Sequence, residues 1–279
     1  MFIIHSMTDV TLWITAACFF LILLCTRENP FKAAGTFIQK MVTSKKYAIH
    51  FIITFSVLFV NKVEQYVAHQ MRYHSDFTAS IYNLEGNFIS HFQHFFMNPV
   101  LTTISSIFYV GIFPSLMITS LLVYTYQRNL KMFYAVCYAI MFNYLVAIPF
   151  YLFFSVNEVW SFRPDVHFLV TQVFPTFERD YRPMSALQNC FPSLHTSISV
   201  SVAALALKSK NVFWSRFTLL AAAFIMFSVL YLGIHWLTDI SAGLVLGLAC
   251  GRIGYVLSHG KAWGFSLFSA FSKNRNYGK

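Results

Sequence analysis

Charged residues are scarce in this chain of 279 residues: they make up 11% of it, and only ten are acidic. A soluble globular protein carries roughly 25% charged residues, most of them on its surface. Apolar side chains take the place of the missing charge, since 57% of the residues are hydrophobic and 19% are aromatic. The composition therefore excludes a soluble globule and predicts an integral membrane protein.

Two further absences narrow the class. The five cysteines fall mostly within apolar runs and lack the spacing of a metal site, which predicts free buried thiols and excludes redox chemistry. The first apolar run lacks the basic leader and the cleavage site of a signal peptide, and Asp9 precedes it, so we expect it to remain as a span. Neither a cofactor nor a metal is expected.

The chain has instead a series of seven apolar runs, each close to the roughly 17 to 25 residues of a helical span. They cover 9–25, 47–63, 100–125, 131–155, 193–207, 213–233 and 237–258. This predicts an all-α fold, a polytopic membrane helical bundle of about six or seven transmembrane helices. We expect an extra membrane helix and basic cytoplasmic loop at 1–46, a catalytic membrane domain at 47–258 and a basic cytoplasmic tail at 259–279.

The basic residues predict the orientation of these spans. The net charge of +10 is scattered between the apolar runs, which argues against a nucleic-acid partner. Lysine and arginine concentrate after the first, third, fifth and seventh runs, and the positive-inside rule places those segments in the cytoplasm. All acidic residues except Glu28 map to the other face or its boundary. We expect a multi-pass protein, in the plasma membrane.

The outer segment 64–99 is aromatic and rich in histidine, which predicts an interfacial helix. A metal cluster is the other interpretation of its histidines, but such side chains are also common at a membrane boundary, and we favour that explanation. The four are His69, His74, His91 and His94.

Two short motifs stand where long apolar runs begin. The first, residues 191–195, reads Phe-Pro-Ser-Leu-His and follows an outer loop that contains Arg179 and Arg182. A helix start binds anions through its unpaired amides and positive dipole end, and Ser193 adds a hydroxyl donor. The two arginines are expected to bind the remaining phosphate oxygens. This motif predicts a phosphate site.

The second motif places His235 and Asp239 four residues apart at the start of the last run, on one helix face. A carboxylate one turn away orients an imidazole and stabilises its cation, as a nucleophile or base requires. Simpler explanations are an interfacial His235 beside Trp236, and a Ser193 that only caps a helix. A catalytic role is favoured because both motifs map to the same membrane face. An aspartate within the membrane is also energetically unfavourable, so Asp239 is expected to have a function.

These residues resemble the type-2 phosphatidic acid phosphatase superfamily over the last five or six spans. Its pattern is Lys-x6-Arg-Pro, then Pro-Ser-Gly-His, then Ser-Arg-x5-His-x3-Asp. The matching positions here are Arg182-Pro183, Pro192-Ser193-Leu194-His195, Ser228, His235 and Asp239. The resemblance implies a lipid phosphoesterase in which His235 attacks phosphorus to form a phosphohistidine. Asp239 then orients His235, and His195 protonates the leaving alcohol.

The chain departs from this pattern at Pro175, Leu194 and Val229, which replace a lysine, a glycine and an arginine. It is more similar to the branch of the inositol phosphorylceramide synthases, which implies an inositolphosphotransferase-like reaction. We therefore expect a lipid phosphate substrate within the bilayer and transfer to an alcohol acceptor as well as hydrolysis. Arg163 or Arg179 is expected to replace the missing cations.

A non-enzymatic function remains as an alternative. In a transporter or lipid-binding membrane protein, His235 and Asp239 would form a proton relay. Against it, the chain shows no inverted repeat, and its polar groups concentrate at one membrane face.

Overall fold

The computed structural model describes residues 4–70 and 75–260, without the side chains of Leu58, Asn61, His69 and Met184. Helices form all of the regular secondary structure in this part of the chain, apart from two isolated β-bridges. The predicted tail from 261 onward and His74 lie outside it. The all-α prediction is confirmed.

Thirteen α-helices follow one another in the described residues. They are α1 (Met7–Thr26), α2 (Pro30–Thr43), α3 (Lys45–Gln70), α4 (Thr78–Glu85), α5 (Phe88–Phe96), α6 (Pro99–Ile107), α7 (Phe113–Tyr126), α8 (Leu130–Phe153), α9 (Val159–Phe162), α10 (Phe177–Asp180), α11 (Leu194–Ala206), α12 (Val212–Tyr231) and α13 (Leu237–Ser258). A π-helical turn, Phe108–Ile112, joins α6 to α7.

Six of these stretches are long and apolar enough to cross a membrane: α1, α3, the continuous α6–α7, α8, α12 and α13. The predicted fifth span is the shorter α11, whose 13 residues extend about 20 Å at 1.5 Å each. That length is less than the roughly 30 Å of a hydrocarbon core. The membrane bundle is confirmed, with α11 as a short helix inside it.

Two segments between the predicted spans contain more helix than the sequence suggested. The expected basic loop after α1 contains α2, because Asn29 caps its first turn and Pro30 occupies the first helical position. The aromatic outer segment forms two helices, α4 and α5, with Gly86 between them. On α5, His91 is exposed and the Nδ1 atom of His94 contacts the carbonyl of Ser90 at 2.8 Å.

The π-helical turn lies directly before Pro114. Proline lacks an N–H group and crowds the carbonyl four residues earlier, and a wider turn is one way in which a helix relieves that conflict. The turn carries Tyr109, and α7 begins with Phe113. Both aromatic rings contact His195 at the start of α11.

Close packing of α11 on α13 brings the two motifs together. A Cβ atom on Gly243 of α13 would lie 2.7 Å from the carbonyl oxygen of Ser193, which only glycine avoids. One turn further along, the Ser201 hydroxyl donates to the carbonyl of Gly247 at 2.8 Å. Small residues allow helix backbones to approach in a membrane, where packing drives association.

We predict that Gly243→Ala destabilises the protein by about 1–3 kcal/mol, the usual cost of overpacking, because α11 and α13 must separate. The measurement is the unfolding midpoint of the purified protein in detergent. Gly35→Ala is the matched control, since a Cβ atom there meets nothing within 4 Å. Equal midpoints for Gly243→Ala and the wild type would contradict the packing argument.

Candidate active site

The starts of α11 and α13 meet at one end of the bundle. The Ser193 amide, immediately before α11, donates to the carbonyl of Asp239 in the first turn of α13 at 3.1 Å. This hydrogen bond holds the two motifs together across 46 residues of sequence. His195 and His235 consequently line the same cavity, of about 90 Å³. Other residues of its wall are Tyr109, Tyr144, Tyr151, Glu158, Asn189 and Cys190.

A tight turn between α12 and α13 presents His235 to this cavity. Gly233 has φ +77°, a left-handed conformation that glycine adopts without strain. The amides of Ile234 and His235 both donate to the carbonyl of Val229 at 3.1 Å. The loop between α8 and α11 is attached to the same turn, since the amide of Trp160 donates to the Gly233 carbonyl at 3.0 Å.

The predicted pair of His235 and Asp239 is present and buried. His235 Nδ1 lies 3.3 Å from Asp239 Oδ2, and the Trp236 amide donates to the same oxygen at 2.9 Å. Asp239 is also in the first turn of α13, where the helix dipole favours a carboxylate. Because Nδ1 faces the carboxylate, the other ring nitrogen of His235, Nε2, is the one that can act on a substrate.

Glu85 on α4 caps the helix that carries this pair. Its Oε2 atom accepts from the Leu237 amide at 2.9 Å, and its Oε1 atom accepts from the Thr238 amide at 2.5 Å. A carboxylate at a helix start satisfies amides that have no partner inside the helix. Glu85 therefore fixes the start of α13, although it lies more than 150 residues away in sequence.

His195 occupies an aromatic niche on the opposite wall. Its ring lies 4.3 Å from that of Tyr109 and 4.2 Å from that of Phe113, measured between centroids. Its Nε2 atom is buried and has no hydrogen-bond partner among the described residues. Since buried polar atoms are nearly always paired, this atom is a candidate for contact with a substrate.

Ser193 serves as the N-cap of α11. Its side chain is buried, and its hydroxyl oxygen accepts from the Thr196 amide at 3.4 Å. The simpler explanation considered for Ser193, a helix cap, is thus present in the structure. The amides of Leu194 and His195 precede that of Thr196 in the same first turn and have no partner within an α-helix.

Arg182 lies next to the cavity and is bound by two carboxylates. It donates to both oxygens of Glu158, at 2.6 and 2.9 Å, and to both oxygens of Glu178, at 3.0 and 2.8 Å. Glu158 stands in the cavity wall. Burial raises the pKa of the Glu158 carboxyl above its usual range, an effect that the hydrogen bonds from Arg182 oppose.

The structure does not bring the other two arginines to this cavity. The Arg179 side chain is 74% exposed and pairs with Asp180 at 2.6 Å. Arg163 pairs with Asp165 at 2.6 Å and holds the pKa of that carboxyl well below its usual range. No lysine or arginine is among the described residues that line the cavity. The expected replacement of the missing cations therefore has no support in this geometry.

Some residues at the site have only weak signals in the sequence. Glu158 is a single carboxylate in an aromatic outer loop, and Glu85 gives no sign that it caps a distant helix. Cys190 is buried beside His235 and Asp239, and one potential metal-ligating atom from each of these three residues lies within 4.8 Å of the other two. That spacing is compatible with a metal ion, and it includes the same histidine–carboxylate pair.

Comparison with known proteins supports the predicted class. Residues 132–263, which include His195, His235 and Asp239, match the PAP2 superfamily. No curated protein matches the chain. The crystal structure of Aquifex aeolicus LpxE is similar, with 20% sequence identity, coverage of 60% of this chain and 92% of that one, and a TM-score of 0.47. The superfamily match confirms the prediction of a lipid phosphoesterase at the level of class.

We predict that Glu85→Ala lowers the free energy of unfolding by about 1–2 kcal/mol, as for loss of a helix cap, because two amides of α13 lose their partner. The unfolding midpoint in detergent measures this change. Glu28→Ala is the control, since its exposed pair with Lys32 is worth less than about 1 kcal/mol. A Glu85→Ala midpoint as high as that of the control would show that the cap is dispensable.

Proposed function

We propose that this chain, whose residues 132–263 match the PAP2 superfamily, is an integral-membrane lipid phosphatase or phosphotransferase with a phosphohistidine intermediate. One observation carries the proposal. A buried His235–Asp239 pair and a buried, unpartnered Nε2 atom of His195 belong to residues that line the same cavity. That arrangement supplies a nucleophile, its orienting carboxylate and a proton donor.

In the first step, Nε2 of His235 attacks phosphorus, and the bond from phosphorus to the leaving alcohol oxygen breaks. His195 donates a proton to that oxygen as it departs. Asp239 stabilises the imidazolium that develops on His235. The aromatic contacts with Tyr109 and Phe113 hold the His195 ring in place for this transfer.

In the second step, an acceptor oxygen attacks the phosphohistidine. His195 takes the acceptor's proton, the new phosphorus–oxygen bond forms, and His235 leaves with the electrons of the phosphorus–nitrogen bond. Water as acceptor gives hydrolysis, and an alcohol gives transfer. Transfer is supported by Leu194 and Val229, which replace the glycine and the arginine of the superfamily pattern. With these replacements the motifs are more similar to the inositol phosphorylceramide synthase branch.

The phosphate site we propose combines the first-turn amides of α11 with Ser193 and Arg182. Arg182 already binds Glu158 and Glu178, so an arriving phosphate competes with those carboxylates for the guanidinium. Arg179, exposed and paired with Asp180, is the least supported of the predicted phosphate ligands.

The substrate is proposed to enter from the outer leaflet, with its apolar chain remaining in the bilayer. The distribution of basic residues supports an active site on the non-cytoplasmic side, in the plasma membrane. The short α11 also supports a site below the membrane surface.

We predict that His235→Ala abolishes turnover and covalent labelling by a lipid substrate with radioactive phosphate, because the attacking nitrogen is lost. The measurement is acid-labile, base-stable label on the rapidly quenched protein, together with released product. His91→Ala, which removes an exposed histidine on α5, should keep both signals. Label that persists in His235→Ala would assign the nucleophile elsewhere.

We predict that His195→Ala slows reaction of an alkyl phosphate lipid by about 10²–10⁴, the usual contribution of a general acid. A nitrophenyl ester needs no proton on its leaving group, so the loss of phosphoenzyme formation should be much smaller with that substrate. Rapid-quench measurement of the first step compares the two leaving groups. An equal loss with both would rule out proton donation by His195.

A further inference from the structure

A second cavity, of about 460 Å³, adjoins the catalytic cavity. It lies between the end of α3 and the loop before α11, and Ala186 and Asn189 line both cavities. Arg182, which binds Glu158 in the catalytic wall, also lines it. The second cavity is therefore separated from the catalytic cavity by side chains that belong to the walls of both.

Unpaired polar atoms on α3 indicate that the second cavity takes a polar ligand. Glu64 is 3% exposed, and its Oε2 atom accepts from Asn189 Nδ2 at 2.8 Å. Its Oε1 atom has no hydrogen-bond partner in the described part of the chain, and the same holds for Nε2 of the adjacent Gln65. Leaving such buried atoms unpaired is unfavourable, and a hydrogen-bonding ligand would supply their missing partners.

The chemistry of these atoms points to hydroxyl groups. A carboxylate oxygen accepts a hydrogen bond, an amide nitrogen donates one, and a hydroxyl does both. An anionic ligand is disfavoured, because Glu64 is acidic and the guanidinium of Arg182 already binds two carboxylates. Several hydroxyls on one small molecule would match this set of donors and acceptors.

We propose that the second cavity binds a polyhydroxylated alcohol that reacts with the phosphoryl group on His235 or is already bonded to it. This inference rests on the proposed function. The alcohol has two sources: a free acceptor, or the headgroup of a lipid phosphodiester. As acceptor, its hydroxyl oxygen bonds to phosphorus, its proton passes to His195, and the phosphorus–nitrogen bond to His235 breaks. As headgroup, it remains bonded to the phosphorus that His235 attacks, while the bond from phosphorus to the lipid alcohol oxygen breaks and His195 protonates that oxygen.

The first arm of the test uses the full chain in detergent with radioactive phosphatidate, with and without glycerol or inositol. The measured quantity is the ratio of transfer to hydrolysis. Glu64→Gln is nearly isosteric, and its amide can present a donor where the wild type has an acceptor, so we expect the ratio to fall at least tenfold. Gln65→Leu should lower it in the same direction. Val63→Ala, at an exposed neighbouring position, should leave it unchanged.

The second arm compares lipid phosphodiesters with a glycerol or a choline headgroup. A headgroup source predicts that Glu64→Gln raises KM for the glycerol lipid at least fivefold, and a free acceptor predicts that only the first arm responds. The inference is overturned if Glu64→Gln changes neither arm, or if the wild type prefers choline. Absence of any turnover of lipid phosphate esters by the wild type would instead refute the proposed function and, with it, this inference.

Discussion

The geometry of the site depends on the close approach of α11 and α13. The hydrogen bond from the Ser193 amide to the Asp239 carbonyl exists because Gly243 leaves room for the α11 backbone. In a membrane, packing and interhelical hydrogen bonds replace the hydrophobic effect as the force between helices. A small residue at the crossing therefore decides whether His195 and His235 share a cavity.

Three carboxylates lie in or near this cavity, and no cation lines it among the described residues. Glu158 lies in its wall, Glu178 holds Arg182 from the loop, and Glu64 lies in the neighbouring cavity. Arg182 carries four charge-assisted hydrogen bonds, which fix the loop but occupy most of its donors. Under the proposed function, a phosphoryl group that binds Arg182 competes with those carboxylates for its donors. This competition offers a physical reason for favouring neutral, hydroxylated acceptors beside the site.

Burial of the catalytic pair supports the same chemistry. α11 has 13 residues and is shorter than a membrane span, which supports the proposed position of the site below the membrane surface. The His235–Asp239 pair is buried, and a low dielectric there strengthens its electrostatic coupling. Under the proposed function, a lipid phosphate enters such a site while its apolar chain stays in the hydrocarbon of the bilayer.

The sequence by itself determined the helical membrane fold and the pairing of His235 with Asp239, because hydropathy and the four-residue helical repeat are local properties. It also identified the α11 start, through Ser193 as its cap. Only the tertiary structure decided that Glu85 caps α13, that Glu158 holds Arg182 and that Arg179 lies away from the cavity. Those partners come from loops and helices far apart in the chain, and no local pattern encodes which of several similar charges will meet.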